Sequence, residues 1–155
     1  MHTQVVSRHV KAAPDAVYAA FMDPDVLVAW LPPGEMTGKI HSFDGHVGGG
    51  YHMSLFYPES DQSHRGKTTA HEDRMSVRFL ELVPGREIVE AVTFHSEDPA
   101  LKDVMTITIA FVAVDGGTEV AFQFEDLPAG LRPEDNEMGA RQSLDQLARR
   151  FEDPL

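Results

Sequence analysis

Ala140, Leu144, Leu147 and Phe151 recur at spacings of four, three and four near the end of the chain, which places them on one face of an α-helix. The spacing predicts a helix from Pro133 to about Asp153. Acidic Glu134, Asp135 and Glu137 crowd its start and Arg149 and Arg150 its end, as the helix dipole favours. Arg141 and Asp145 lie off the stripe. A helix of about 20 residues is roughly 30 Å long, enough to cross a whole sheet. Such a helix has to bury its stripe against a broad apolar surface, and the rest of the chain must supply one.

The preceding sequence reads as that surface. Residues 3–11 and the segments "MTGKIHSF", "YHMSLFY", "TTAHEDRMSVRFLEL", "REIVEAVTFH", "VMTITIAFVAV" and "TEVAFQFEDL" read as strands. Met105, Ile107, Ile109 and Phe111 share one face of a segment rich in β-branched residues. In the last strand Val120, Phe122 and Phe124 alternate with Glu119, Gln123 and Glu125, so one side is buried and the other wet. Pro84-Gly85 marks a turn, and Asp115-Gly116-Gly117 a hairpin.

Between the first strand and the sheet lie two short helical signals. Pro14 suits a first helical turn, with Val17, Ala20 and Phe21 at helical spacing. Asp23 can cap a second helix that Pro24 begins, with Leu27, Trp30 and Leu31 on its apolar face and Pro32-Pro33 as its stop. The order is therefore strand, two short helices, about six antiparallel strands and a long helix. This predicts one α+β domain over residues 1–155, an antiparallel sheet with its apolar face against the last helix.

Gly48, Gly49 and Gly50 stand between two of the strands. A dinucleotide-binding loop needs G-x-G-x-x-G opening a helix, whereas here the glycines open a strand. A second decoy, Gly66-Lys67-Thr68, has Asp61 where a phosphate loop needs its first glycine. The triplet fits a bulge, a bend or a close backbone approach in a sheet that curves around the helix. Such curvature leaves room between sheet and helix.

The pieces "WLPP", "FDGHVGGGYHMSL", "FLELVPGREIVEAVTF", "GGTEVAFQFEDLP" and "NEMGARQSLDQLARRFE" cover nearly the whole chain. In this order they resemble the START-like, birch-pollen-allergen-like (SRPBCC) superfamily. The branch they resemble best is the C-terminal domain of the activator of the heat-shock-protein-90 ATPase. The resemblance implies a helix-grip fold, a curved antiparallel sheet wrapped around the C-terminal helix, with an internal cavity that often holds an apolar molecule. The family name also implies a stress-response setting and a chaperone as partner. Many relatives carry Gly-Trp near the start of the last helix, where this chain has Gly139 and Ala140. The missing ring implies a neighbour filling its volume, or a larger pocket.

Candidate site residues follow from strand faces. His71, Asp73, Met75, Val77 and Phe79 share one face, as do Ile88, Glu90, Val92 and Phe94. A carboxylate among hydrophobic residues is desolvated and its pKa raised. Glu90 with His71 is therefore a candidate polar anchor, or an acid/base pair of a cyclase- or lyase-type enzyme. The alternatives are a solvated strand end or a structural pairing of Glu90 with an arginine. Trp30 and Tyr51 combine apolar bulk with one polar atom, which suits a pocket wall. Phe94, Ile107, Phe122, Ala140 and Leu144 complete the expected lining. Plain core packing explains Trp30 and Tyr51 equally well.

Other chemistry finds little footing. The eight histidines include no H-E-x-x-H pair and read as scattered surface residues, with no metal or cofactor expected. There is no cysteine and no G-x-S-x-G elbow. A net charge of −12 disfavours nucleic acid and anionic lipid. No stretch approaches the ~18 apolar residues of a membrane span, and no signal peptide is read at the start. The sequence thus predicts a cytoplasmic, monomeric or homodimeric protein that binds an apolar or aromatic small molecule between sheet and helix. The other readings are a chaperone-regulating interaction module and an enzyme using the same cavity.

Overall fold

The computed structural model describes residues 3–58 and 72–152. In chain order the elements are β1 (Thr3–Val10), α1 (Pro14–Met22), α2 (Pro24–Trp30), β2 (Thr37–Asp44), β3 (Gly50–Phe56), β4 (Glu72–Val83), β5 (Glu87–Phe94), β6 (Met105–Val114), β7 (Gly117–Glu125) and α3 (Pro133–Glu152). A single 3-10 turn, Pro99–Leu101, interrupts the loop before β6. The seven strands form one antiparallel sheet in the order β1-β7-β6-β5-β4-β3-β2. The chain thus leaves β1 through two helices, starts again at the opposite edge, and returns strand by strand to pair β7 with β1.

Local chemistry explains the helix boundaries. Asp23 ends α1 in an extended conformation and caps α2, its carboxylate accepting the Asp25 N–H at 3.0 Å. The Trp30 indole N–H then donates to the Ala20 carbonyl at 3.0 Å, and its ring meets Phe21 edge-on at 4.7 Å. Two helices too short to be stable alone are thereby locked into one unit. Phe21 also packs edge-on against Phe111 of β6 and Phe122 of β7, which seats that unit on the inner face of the sheet.

The sheet bends at identifiable places. Register shifts by one residue at His41 in β2 and at Leu80 in β4, the signature of bulges that curve a sheet. The glycine triplet lies directly against the second of these. Gly48 donates to the Phe79 carbonyl and Phe79 donates to that of Gly49, both at 2.9 Å, just before the Leu80 bulge. At Gly50, with φ +151°, a Cβ would collide with the main-chain carbonyl of Val77 on β4. The triplet is a close backbone approach beside a bend. It leads into β3, so it presents no helix N-terminus to a phosphate.

Helix α3 crosses the concave side and is fastened along both flanks. Toward β1, Arg8 Nε pairs with Asp145 at 2.9 Å, Gln4 donates to the Pro133 carbonyl at 2.9 Å, and Asn136 donates to Gln4 at 2.7 Å. Toward α2, the Ser143 hydroxyl donates to the Leu31 carbonyl at 2.6 Å. Gln146 donates to the carbonyls of Trp30 at 2.7 Å and Pro32 at 2.8 Å, and accepts the Gly34 N–H at 3.0 Å. Val6, Val10, Val120, Leu144, Leu147 and Ala148 are all buried in the core cluster. The helix grips the sheet as the α+β reading of the sequence requires.

Candidate functional site

The core does not fill the concave side. A cavity of about 950 Å³ opens between the inner face of β3–β7 and the first half of α3. Its floor is apolar and aromatic, with Val77, Phe79, Ile88, Val92, Ile109 and Phe122 among its walls. Exposed Gly34 and Glu35 on one side and Arg132, Asp135, Met138 and Gln142 on the other form its mouth. The volume lies in the range that holds a small organic molecule.

Strand alternation aims two polar groups into this hollow. In β5, Ile88, Glu90, Val92 and Phe94 are buried while their neighbours are not. Glu90 stands between Phe79 of β4 and Ile107 of β6, and burial pushes its carboxyl up to about 8. Near neutral pH it is therefore mostly a neutral acid. Tyr51 of β3 is 5 % exposed. Burial, and secondarily the Glu90 charge, raises its hydroxyl well above the ordinary phenol value. Tyr51 and Glu90 make no side-chain hydrogen bond within the described residues, yet no polar atom of theirs is sealed from the cavity. A third polar residue, Asp73 of β4, is buried on the same face and accepts the Tyr57 O–H at 3.0 Å.

The residues expected at the site separate into three groups. Tyr51, Glu90, Phe94, Ile107, Phe122 and Ala140 border the cavity. Trp30 and Leu144 are about 1 % exposed and packed in the core, away from the walls. Trp30 is turned to Ala20 and Phe21 by its own hydrogen bond, and Leu144 is buried in the core cluster with Leu147 and Ala148. His71 lies outside the described residues, so its pairing with Glu90 has no geometry here, and no arginine pairs with Glu90 among the described residues. Gly139 and Ala140 both sit on the wall, where a Trp at 140 would project into the space.

The structure also gathers groups that the sequence left scattered. On the outer face, the Ser76 hydroxyl bridges His52 at 2.8 Å and His95 at 2.6 Å. Beside them Ser54 links His41 to Glu72. The Ser54 hydrogen bond, helped by the Arg74 guanidinium, holds the Glu72 carboxyl below its ordinary value. Alternation puts these residues on the outer side of their strands, but only the strand register brings them together. No set of three or more histidine, aspartate or glutamate side chains placed to hold a metal is found among the described residues.

A curved seven-stranded sheet closed by a C-terminal helix, with two short helices after the first strand, defines a helix-grip protein of the START-like, SRPBCC type. The family model for Activator of Hsp90 ATPase homolog 1-like protein matches residues 11–152, and the chain belongs to that family. It is similar to protein CV1439 from Chromobacterium violaceum, with 33% identity, 97% of each chain covered and a TM-score of 0.85. Protein Ms6760 from Mycobacterium smegmatis shares the fold at 16% identity, with 99% of this chain and 92% of that one covered and a TM-score of 0.77. A Staphylococcus epidermidis protein solved by NMR does so at 19% identity, with coverage of 99% and 91% and a TM-score of 0.75. No curated protein matches the chain.

Proposed function

We propose that this protein binds an apolar or aromatic small molecule in the hollow between the sheet and α3. The observation that carries the reading is a cavity of about 950 Å³ whose walls are mostly apolar and in which two buried polar side chains, Tyr51 and Glu90, have no hydrogen-bond partner within the described residues. Apolar walls left facing water cost stability, and a bound molecule that covers them offsets that cost. Family membership supports the reading through the shared helix-grip fold. The six candidate residues that border the hollow, Tyr51, Glu90, Phe94, Ile107, Phe122 and Ala140, are the proposed contacts.

Native mass spectrometry of the purified protein tests this. An adduct of a few hundred daltons that disappears on denaturation is the expected result, or a rise in Tm when an apolar aromatic compound is added. A protein with no adduct, and no Tm response across a panel of such compounds, would overturn the reading.

The family description favours a second reading, regulation of a chaperone ATPase. It expects retention of the host chaperone of the heat-shock-protein-90 class on an affinity column carrying this protein, with a change in its ATPase rate. No retention at micromolar concentrations would remove it.

A further inference from the structure

The cavity carries a chemical preference as well as a size. Tyr51 on β3 and Glu90 on β5 project from the concave face on either side of β4. Tyr51 pairs with Val77, Val77 with Val92, and Glu90 stands one alternation further along, beside Phe79. Both are more than nine-tenths buried, and their polar ends meet no hydrogen-bond partner among the described residues. No buried cation lies near them among the described residues. Of the charged residues on the cavity wall, Asp73 on β4 already accepts from Tyr57, and Glu35, Arg132 and Asp135 stand at the exposed mouth. Arg132 is itself paired with Glu134 at 3.0 Å.

A phenol and a carboxylic acid in such a place are two hydrogen-bond donors facing an apolar space. A neutral oxygen acceptor with two lone pairs satisfies both donors at once without bringing charge indoors. An ammonium ion would need Glu90 ionised and a charge pair buried, at a desolvation cost that such pairs recover only with additional hydrogen bonds. A carboxylate would place a third acid beside Glu90 and Asp73. A neutral carbonyl meets neither obstacle, and paired tyrosine and protonated-carboxyl donors are an established way of holding one in an apolar site.

We propose that the molecule held in this hollow is an aromatic or polycyclic ketone, its carbonyl oxygen receiving hydrogen bonds from the Tyr51 hydroxyl and the Glu90 carboxyl group. This rests on the cavity being a binding site, and the test separates the two ideas. Three probes of one shape are used: 2-acetylnaphthalene, 2-ethylnaphthalene and 1-(2-naphthyl)ethylamine. Each is titrated into the intact protein and into Tyr51→Phe and Glu90→Leu. Infrared spectra of the carbonyl-13C-labelled ketone are recorded with the unsubstituted protein.

The expected result is that each substitution weakens the ketone about 3- to 10-fold, the effect of one lost hydrogen bond. The hydrocarbon should then change by less than about twofold. The bound carbonyl stretch should fall below its position in hexane. That last measurement needs no variant, so a Glu90→Leu protein that failed to fold would leave the test intact. Hydrocarbon and ketone both bound, with a hexane-like stretch or equal losses in the variants, would overturn the ketone assignment and leave the cavity as a binding site. An amine bound more tightly than the ketone, and dependent on Glu90, would overturn it in favour of a cation. Failure of all three probes to bind would count against the cavity itself.

Discussion

The side-chain amide of Gln146 donates to the Trp30 carbonyl at 2.7 Å, so the last helix is bonded to the end of the second one. The same side chain reaches the Pro32 carbonyl and the Gly34 N–H. One glutamine therefore satisfies three main-chain groups that α2 and the two prolines leave without helical partners. Gln146→Leu should lower stability by about 1–3 kcal/mol, because carbonyls inside the structure lose their donor. Arg141→Ala, which removes an exposed ion pair with Glu137, should cost under about 1 kcal/mol. Urea unfolding of both variants checks the contrast.

Glu90 predicts a pH dependence with a definite sign. Its folded pKa, about 8, lies above the ordinary 4.5. The folded state therefore binds the proton more tightly, and that contribution is complete below pH ~4.5 and lost as pH rises through ~8. Glu90→Gln has no such proton. The stability of Glu90→Gln relative to the unsubstituted protein should rise between pH 5 and pH 9 by roughly 4 kcal/mol. Denaturant titrations of both proteins across that range read the difference directly; a flat difference would mean that Glu90 is solvated.

The glycine triplet predicts unequal costs at adjacent positions. Gly48 has φ +88° and open space where a Cβ would stand, whereas at Gly50 a Cβ would strike the Val77 carbonyl. Gly48→Ala should cost about 1–2 kcal/mol from backbone strain alone. Gly50→Ala should cost clearly more, because β3 and β4 must also separate. Thermal melts of the two variants distinguish strain from collision.

Ala140 predicts a separation of binding from folding. Ala140→Trp places a large ring in the cavity wall, with space to receive it. The variant should fold with an unchanged or higher Tm. It should bind naphthalene-sized probes at least about tenfold more weakly, equivalent to ~1.4 kcal/mol. Tight binding in the variant would mean that the probe sits elsewhere.

Much of this architecture was legible because it rests on period and punctuation. The Ala140–Phe151 stripe gave α3, the Asp23-Pro24 cap gave α2, and the Asp115-Gly116 turn gave the β6–β7 hairpin. The inward faces of β5 and β7 followed from simple alternation. The unpartnered state of Glu90 among the described residues and the bridge from Ser76 to His52 and His95 were not legible. They depend on register across three strands and on bulges at His41 and Leu80 that no local signal marks. Trp30 and Leu144 were expected on the cavity wall for the same reason. Helical spacing says which face of a helix turns inward, but it does not say which part of that face meets other side chains and which meets empty space.

Cavity lining and fastening overlap along α3. Met138, Gly139, Ala140 and Gln142 border the cavity, Asp145 and Gln146 carry fastenings to β1 and α2, and Asn136 and Ser143 do both. Capacity and clasp are thus written in neighbouring letters that share two residues. Exchanging the side chains of Met138, Ala140 and Gln142 alters the room inside, while the latch made by Asn136, Ser143, Asp145 and Gln146 passes unchanged.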